Sequence, residues 1–433
     1  MDDRELTRAA AILEETLSPS QLMRLGKTTG FTKRVRTITP DSLALALITA
    51  MASRRINTIA DLHRFYVEHT GRNIEYKPLH DQLSKPEFAK FMHAVLTRML
   101  QRLVSRALRP ISAGVLNLFN DIILQDGSSH AINDGLAWHW PGRFTATRPA
   151  AVELHATMSL FDDQVLSVSL APDVTGEREF LPKPEELAGK LLLADRGYQD
   201  IEYGERLSTA GAFFIVRATT SINPVVRGVV IGGCEQRKGV GQRLKIVRER
   251  LKGQNADLTV QWKRKKRLIT HRLVLLWNPC TGKHTMLLTN LDSENVEISQ
   301  VGLLYRLRWQ IELLFKEWRS HCNFHRFNTI KIPIVEGLLW ASIAAAVLKR
   351  FVAYATADVF QLPNISTMRA ACSGLFLLTD VLRDITEQRS SRASLGVLLR
   401  HLARYAKRAR PKRDARTGRA RLGLLGAAWP GEQ

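Results

Sequence analysis

Apolar positions near the N-terminus repeat with the period of an α-helix. From the start of the chain to about residue 109 they recur every three or four residues, which predicts an all-helical region. The sequence Thr39-Pro-Asp41 is a helix start signal ahead of the apolar run 43–51. A short helix that opens at Thr58 and breaks at Gly71, followed by a second at 76–83, predicts either a DNA-binding helix-turn-helix or two ordinary packing helices.

After about residue 112 the pattern changes to short apolar runs and alternation, which predicts a sheet. In chain order it predicts a strand, a hairpin, a helix, a strand, a helix and a strand, at residues 121–125, 152–170, 177–190, 191–194, 201–210 and 212–217. The first strand and the strand at 191–194 each end on an aspartate, Asp126 and Asp195. Taken singly, an aspartate at a strand end is usually a turn former or a helix cap.

A strongly basic segment follows. Between Arg217 and Arg272 the chain has fifteen Lys or Arg and three acidic residues, and alternation at 244–247 and 258–262 predicts a mainly β insertion. Beyond it the pattern predicts strands, a long helix and a mostly helical C-terminal region, at 273–277, 285–288, 296–320 and onward. The tail at 400–421 has ten basic residues against one acidic, a block typical of solvated arms that can bind DNA nonspecifically.

Composition favours a polyanionic partner. Lys and Arg number 63 against 41 Asp and Glu, for a formal net charge of +22 and a pI near 10.2. Basic surfaces gain affinity for nucleic acid by releasing its counterions, and an anionic membrane attracts the same charge. However, the longest uncharged apolar run, 337–348, is shorter than the roughly 18 residues of a membrane span, so we predict a buried core helix and no membrane partner. The N-terminal sequence lacks a signal-peptide apolar region, so we expect a cytoplasmic protein.

Cysteine spacing indicates neither a disulfide framework nor a zinc ribbon. The cysteines are far apart and form no Cys-x-x-Cys pair; they are Cys234, Cys280, Cys322 and Cys372. His321, Cys322 and His325 are close together, and two histidines four residues apart can ligate zinc from one helix face. Without a second ligand pair, we interpret them as helix-surface residues.

The carboxylates carry the candidate chemistry. Hydrolysis of a phosphodiester needs hard oxygen ligands, because magnesium and manganese prefer carboxylates, and two such ions can hold the attacking and leaving oxygens together. Asp126 and Asp195 each stand where an apolar strand meets a turn, a place from which a rigid scaffold presents side chains to a shared site.

The long helix supplies a third carboxylate. Five polar residues spaced by three, four, four and three positions fall within an arc of roughly 80° on one helix face; they are Tyr305, Arg308, Glu312, Lys316 and Arg319. This face sets a carboxylate among phosphate-binding groups. By spacing alone, a solvated charged stripe opposite the apolar Ile311, Leu314 and Phe315 is equally compatible with the pattern.

The same residues resemble the signature of the DDE-type transposases of the bacterial insertion sequence four family. That signature is Tyr, two residues, Arg, three residues, Glu, six residues, Lys. Tyr305, Arg308 and Glu312 match it, and Arg319 stands in place of the final Lys. Both cations bind phosphate, Arg as a planar fork and Lys as a point charge.

Two further segments resemble this family. Asp195-Arg-Gly-Tyr198 is similar to its Asp-x-Gly-Tyr element, and Leu-Gln-Asp126-Gly-Ser-Ser is similar to the segment around its first aspartate. The resemblance covers roughly residues 122–327. It implies an α/β fold with an RNase H-like catalytic core, interrupted by a β-rich insertion and flanked by helical N- and C-terminal regions.

On this basis we expect five segments. They are a helical, DNA-binding N-terminal domain, the first part of the core, the basic β-rich insertion, the second part of the core with the glutamate helix, and a helical C-terminal region with a basic tail, at 1–115, 116–217, 218–291, 292–355 and 356–433.

The resemblance also implies a function, a DNA transposase that cuts transposon ends and transfers them to a target. Asp126, Asp195 and Glu312 would be the catalytic residues and the ligands of two Mg²⁺ ions, for which Mn²⁺ can substitute. The partners would be terminal inverted repeats and target DNA, both double-stranded, and a second copy of the chain in the synaptic complex. The DNA-binding residues would be Tyr305, Arg308, Lys316 and Arg319 on the helix and Trp262, Lys263 and Arg264 in the insertion. Trp262 would stack a flipped base.

Two other functions remain open. The chain could be an RNase H-like nuclease without strand transfer, which the sequence does not separate from a transposase. It could also be a DNA-binding protein without catalysis, derived from a transposase. Retention of all three carboxylates argues against the second, because acidic groups near phosphate do not help nonspecific DNA binding.

Overall fold

The computed structural model describes residues 1–34, 36–53, 56–103, 114–264, 267–321, 327–362 and 365–407. A large mixed sheet runs through the middle of the sequence. Its strands in chain order are β1 (Ile122–Ala131), β2 (Pro141–Phe144), β3 (Arg148–Ser159), β4 (Gln164–Pro172), β5 (Leu191–Ala194), β6 (Phe213–Arg217), β7 (Val225–Ile231), β8 (Cys234–Glu235), β9 (Ala256–Arg264), β10 (Arg267–Asn278) and β11 (Lys283–Thr289). They lie in the order β2-β3-β1-β5-β6-β11-β10-β9-β7-β8, and β4 also pairs with β3.

Helices precede, interrupt and follow the sheet. They are α1 (Asp3–Leu17), α2 (Pro19–Thr28), α3 (Pro40–Ser53), α4 (Ile59–Thr70), α5 (Tyr76–Leu83), α6 (Pro86–Arg102), α7 (Ile201–Thr209), α8 (Leu244–Arg250), α9 (Ile298–Arg306), α10 (Trp309–His321), α11 (Ile332–Val359), α12 (Thr367–Cys372), α13 (Leu375–Thr386) and α14 (Arg392–Tyr405). A mixed α/β architecture with helical termini is therefore confirmed.

The N-terminal and C-terminal helices pack around α11. This helix contacts α1, α3, α6 and α14, and most of its residues are buried. Its length and hydropathy would suffice for a membrane span, but 78% of its apolar window is buried inside the protein. It is thus the core helix that the apolar run 337–348 predicted.

The local signals for α4 behave as expected. Thr58 and Asp61 form a capping box at its start, and Gly71 ends it with φ 64°. α5 follows after a short connection. The two helices are therefore present, whichever role they have.

β1 has an antiparallel neighbour on one side and a parallel neighbour on the other. β1 pairs antiparallel with β3 and parallel with β5, and β5 pairs parallel with β6. β3 and β4 form the predicted hairpin, with Ser159 opposite Gln164 and Asp163 at φ 49° in the turn. Strands β7 to β11 continue the same sheet beyond β6, antiparallel to one another where they pair, and β11 joins β6.

Four predicted elements are wrong. β1 does not stop at residue 125 but runs to Ala131, because β3 continues to pair with its polar half. Residues 177–190 form two 3₁₀ turns, Glu177–Phe180 and Pro184–Leu187, since Pro182 and Pro184 lack the N–H donors of an α-helix. The 244–247 segment is helical, in α8. The helix predicted at 296–320 is broken between α9 and α10.

Some predictions fall outside the described residues. Cys322 and His325 lie there, so the zinc and helix-surface interpretations of the His321 segment are not tested. The tail beyond residue 407 also lies there. Among the described residues, Cys234, Cys280 and Cys372 are exposed and belong to no disulfide.

The contact between α6 and α11 predicts a stability effect at Gly337. A Cβ at this position would lie 2.2 Å from Cε1 of the buried Phe88 ring. Alanine favours a helix over glycine by about 1 kcal/mol, but overpacking a core costs about 1–3 kcal/mol. We therefore expect Gly337→Ala to lower the midpoint of thermal unfolding. The exposed Gly176 is the control, since its Cβ would meet only Glu179 at 3.6 Å, and Gly176→Ala should leave the midpoint unchanged. A Gly337→Ala protein as stable as wild type would show that the interface yields freely.

Candidate active site

Asp126 and Asp195 lie side by side on neighbouring parallel strands. Gln125 of β1 is opposite Ala194 of β5, so the next residue on each chain is one of the two aspartates. Asp126 is within β1 and Asp195 directly follows β5. The carboxyl end of the parallel pair therefore presents both carboxylates together.

The period of the strand decides which face of the sheet Asp126 occupies. Leu124, two residues earlier, belongs to the core that includes Ile311 and Leu314 of α10, whereas Ile123 belongs to the core on the α7 side. Since successive side chains of a strand alternate between faces, Asp126 projects to the α10 side. α10 contacts β1 on that side. The third carboxylate, Glu312, is on α10.

Arg308 joins two of the three carboxylates. Its Nη1 donates to Oδ2 of Asp126 at 2.7 Å, and its Nη2 donates to Oε1 of Glu312. The side chains of Asp126 and Arg308 are only 16% and 13% exposed, so this pair is largely removed from water. The guanidinium fork thus links β1 to α10 with charge-assisted hydrogen bonds.

Tyr305 reaches the remaining carboxylate. Its hydroxyl donates to Oδ1 of Asp195 at 3.2 Å, and Arg308 lies over its ring at 5.7 Å. Burial raises the pKa of Tyr305, so it stays protonated and remains a hydrogen-bond donor at neutral pH. The site therefore consists of three carboxylates held by one cation and one phenol.

The electrostatics of the site are those of crowded carboxylates. Burial raises the pKa of Asp126 to about 6, Arg308 and the Gly127 amide oppose the rise, and the charges of Asp195 and Glu312 add to it. Burial alone lowers the pKa of Arg308, but the acidic groups around it raise that pKa overall. Arg308 is thus charged, and the three carboxylates repel one another.

The helix break changes how the five predicted residues converge. The sequence predicted one continuous helix face for Tyr305 and Glu312. In the structure α9 ends at Arg306 and α10 begins at Trp309, so the two residues are on different helices. Tyr305 and Arg308 still meet the carboxylates. Lys316 is exposed, and in the described contacts no hydrogen bond or ion pair joins it to the carboxylates.

Arg319 contacts β1 at a different point. Its Nε and Nη2 donate to the Ser128 hydroxyl at 3.2 and 2.8 Å, and that hydroxyl lies 3.1 Å from Nε2 of His130. Ser128 and His130 follow Asp126 on the same strand face. Neither residue was predicted to be near the site, although their alternation with Asp126 in Asp-Gly-Ser-Ser-His was a signal of a continuing strand.

A polar cluster that was also not predicted lies beside β1, on the face of the sheet opposite Asp126. Glu153 and His155 on β3 are buried, Arg143 binds Glu153 at 2.7 Å, and Nδ1 of His155 lies 2.9 Å from the Tyr198 hydroxyl. Burial raises the pKa of Glu153 to about 7 and lowers that of His155 to about 4. These two polar residues in the otherwise apolar stretch 150–156 of β3 were the signal for this cluster.

The cluster explains the glycines next to the aspartates. A Cβ at Gly127 would lie 2.7 Å from Oε1 of Glu153, and one at Gly197 would lie 1.4 Å from Oε2 of Glu177. A side chain at either position would displace the carboxylate of the neighbouring glutamate. The displacement is harder for the buried Glu153 than for Glu177, whose side chain is 23% exposed, so the packing requirement for glycine is stronger beside Asp126.

The family comparison agrees with this geometry. The model for the transposase DDE domain matches residues 119–348, more than half of the 433-residue chain. The chain belongs to this transposase family. The matched stretch includes all three carboxylates, Arg308 and Tyr305.

Individual transposases are similar over most of their length. The transposase of insertion sequence element IS1151 from Clostridium perfringens is 19% identical over 393 residues, which cover 82% of this chain and 83% of the relative. That of IS231C from Bacillus thuringiensis subsp. berliner is 24% identical over 379 residues, covering 79% and 78%. Among solved structures, a piggyBac transposase synaptic complex with hairpin DNA aligns with 95% of this chain and 86% of its own at 9% identity and a TM-score of 0.47.

DDE transposases generally use divalent metal ions, and the donor set of this transposase fits them. Asp126, Asp195 and Glu312 offer only hard carboxylate oxygens, which Mg²⁺ and Mn²⁺ prefer. In the described part of the chain no three ligands are grouped closely enough to form a metal site, and Arg308 and Tyr305 are the groups that hydrogen-bond to the carboxylates. Their repulsion is the feature that a further cation would relieve.

The three predicted residues of the basic segment lie apart from the carboxylates. Trp262, Lys263 and Arg264 are at the end of β9 and line a groove of about 870 Å³ together with Gln199 and Arg243. Trp262 is half-buried, 6.1 Å from the His271 ring, and the two basic side chains are exposed. Gln199 is four residues beyond Asp195, so the groove begins near the second aspartate.

The raised pKa of Asp126 predicts a pH-dependent stability. Its pKa is about 6 in the folded transposase and about 3.9 in an unfolded chain. The folded state therefore binds more protons between about pH 4 and pH 6, and this carboxyl makes the protein less stable as the pH rises through that window. Asp126→Asn removes the effect. We expect the midpoint of thermal unfolding, measured with a metal chelator present, to differ between Asp126→Asn and wild type in a pH-dependent way. The midpoint of the variant minus that of the wild type should be larger at pH 8 than at pH 4. A difference that does not vary with pH would contradict the assigned environment of Asp126.

Proposed function

We propose that this transposase cleaves the ends of its element and joins them to a target, with Asp126, Asp195 and Glu312 as the catalytic carboxylates. One observation carries the proposal. Three carboxylates from β1, β5 and α10 converge on Arg308 and Tyr305, although 182 residues separate Asp126 from Arg308 in the chain. A convergence of mutually repelling acids is costly for folding and is what binding of cations requires.

We assign β4, β3, β1, β5 and β6 to an RNase H-like core. The antiparallel β3 and parallel β5 on either side of β1 support this assignment. Residues 116–217 and 292–355 would form the core, 218–291 the β-rich insertion, and 1–115 and 356–433 the flanking helical regions. The Tyr305-to-Arg319 signature supports membership of the insertion sequence four group.

Asp126, Asp195 and Glu312 would hold two Mg²⁺ ions, with Mn²⁺ as a substitute. When bound, such ions activate the attacking oxygen and stabilise the leaving one. Arg308 must then release Asp126 and Glu312. A DNA phosphate is a suitable new partner for its guanidinium, because Arg binds phosphate through the same two-pronged geometry.

The remaining helix residues would grip the DNA backbone near the cut. Tyr305 keeps its proton and can donate to a phosphate oxygen, Arg319 projects beside Ser128, and Lys316 is exposed for contact. A net charge of +22 supports attraction of both terminal inverted repeats and target DNA. We infer a homodimer in the synaptic complex, with each copy acting in the cytoplasm at the nucleoid.

The groove around Trp262 would hold a base displaced near the cut. Trp262 offers an aromatic face, and Lys263, Arg264 and Arg243 offer charge for the adjoining phosphates. Gln199 connects the groove to the segment after Asp195. These features suit a single unstacked nucleotide more than a duplex.

A nuclease without strand transfer and a non-catalytic DNA-binding protein are the other candidates. A strand-transfer assay with pre-cleaved ends separates the first from a transposase, because a nuclease leaves the 3′ ends unjoined. Cleavage itself separates the second.

Replacing a catalytic carboxylate should separate binding from chemistry. We expect Asp195→Ala and Glu312→Gln to bind labelled terminal-repeat DNA with near wild-type affinity and to show no detectable cleavage in magnesium, because the metal ligands are lost while the cationic surface remains. Glu205→Gln, on α7 across the sheet, is the matched control and should cleave normally. Full cleavage by either site variant would remove the proposed assignment.

Trp262→Ala should impair handling of an unstacked base. With 2-aminopurine beside the cut, we expect the wild type to change its fluorescence and Trp262→Ala to abolish that change and to weaken binding of cleaved ends about tenfold, since stacking contributes about 1–3 kcal/mol per base. Trp277→Ala, on β10 outside the groove, is the control for loss of an indole. Equal fluorescence changes in the two variants would exclude the role of Trp262.

A further inference from the structure

The helix that carries Glu312 needs its own means of orientation. α9 ends at Arg306 and α10 begins at Trp309, so α10 is a separate helix that follows α9 after a two-residue turn. The apolar contacts of α10, through Ile311, Phe315 and Trp318, are non-directional and tolerate small rotations. A rotation of α10 moves Glu312 relative to Asp126.

A buried charge lies on the other side of α10. Glu317 comes five residues after Glu312, which places it about 140° around the helix axis. Its side chain is 3% exposed, and its Oε2 lies 3.4 Å from Nη1 of Arg350 on α11. This ion pair joins the buried face of the glutamate helix to the core helix.

Arg350 extends the contact to the sheet. Its Nη2 donates to Oδ1 of Asp163 at 2.8 Å and lies 3.3 Å from the Tyr354 hydroxyl, which donates to the other Asp163 oxygen. Asp163 is in the turn between β3 and β4, has φ 49°, and its side chain is 3% exposed. Four side chains thus tie α10, α11 and the hairpin together.

Such a cluster is a poor source of stability but a good source of direction. Buried ions lose their hydration, and apolar replacements of similar volume are often as stable or more stable. A guanidinium fork, however, requires each acceptor at a fixed place in its plane. The cluster therefore restricts rotation, which the apolar contacts of α10 do not.

We propose that Asp163, Glu317, Arg350 and Tyr354, here called the α10 anchor, set the rotation of α10 and so hold Glu312 at its working distance from Asp126. They are positioning residues that act through Glu312. The catalytic part of this proposal rests on the proposed function of Glu312. The anchor also connects back to the other carboxylate. Asp163 is in the turn that follows β3, and Ala156 of β3 pairs with Asp126 of β1.

Amide hydrogen exchange tests the anchor without any activity. Tyr354→Phe removes a hydroxyl that donates to Asp163 and accepts from Arg350, with little change in volume, and Arg350→Met removes the fork. We expect the amides of α10 to exchange at least about threefold faster in both. The control is Tyr203→Phe, which deletes a buried tyrosine hydroxyl that donates to the Pro182 carbonyl at 2.6 Å. It should speed exchange in α7 and leave α10 unchanged.

Cleavage kinetics test positioning. For full-length Arg350→Met and Glu317→Gln on terminal-repeat DNA, we expect kcat to fall about 10- to 100-fold, the magnesium concentration for half-maximal cleavage to rise, and the Kd for DNA to stay within about twofold of wild type. Arg350→Lys should restore part of the loss. A merely structural role would lower kcat only with the folded fraction and would leave the magnesium dependence unchanged.

The outcomes are distinct. Unchanged exchange of α10 in Tyr354→Phe and Arg350→Met would overturn the anchor. If the anchor variants exchange faster but their cleavage depends on magnesium in the same way as that of Tyr203→Phe, the positioning role of the anchor is overturned. If Arg350→Met does not fold, Tyr354→Phe and Glu317→Gln decide both points. If the wild type does not cleave, the proposed function fails. The anchor is then tested by the amide exchange of α10 and by the Mn²⁺ affinity measured by calorimetry for the wild type and the anchor variants.

Discussion

Arg308 is the contact on which the arrangement of the site depends. A carboxylate on β1 and another on α10 share its guanidinium, and a third acid is close enough to raise its pKa as well. Burying several ions of the same charge destabilises the folded state, and leaving a buried ion without a partner of opposite charge destabilises it further. The three carboxylates therefore form one unit with a cation, and the fold must supply that cation from the chain until another partner replaces it.

The break between α9 and α10 lets neighbouring residues serve different strands. On a continuous helix Tyr305 and Arg308 would point the same way. With the break, Tyr305 contacts Asp195 after β5, while Arg308 contacts Asp126 in β1. Tyr305, Arg308 and Glu312 therefore meet at one place although the helix is interrupted between them, and the sequence pattern gave no sign of the interruption.

Local periodicity predicted the elements that bury one face and failed where long-range pairing decides. The β3–β4 hairpin and β5 were predicted because their apolar residues carry the pattern unaided. The polar half of β1 resembles a loop, and only pairing with β3 makes it a strand. The α10 anchor had no signal at all, since Asp163 and Arg350 are 187 residues apart and buried charges have no periodic pattern. In contrast, Glu153 and His155 were not predicted although a signal existed, because they are the polar residues of the otherwise apolar stretch 150–156.

The members of the triad are held by unequal constraints. Asp126 is within β1 and is held by the sheet hydrogen bonds of that strand, and Asp195 directly follows β5, which pairs with β1 up to Ala194. Glu312 is on α10, which no strand pairing holds. The distance between Glu312 and the aspartates is therefore less constrained than the distance between the two aspartates. Any partner that engages Arg308 acts first on that distance, because Arg308 joins Glu312 directly to Asp126.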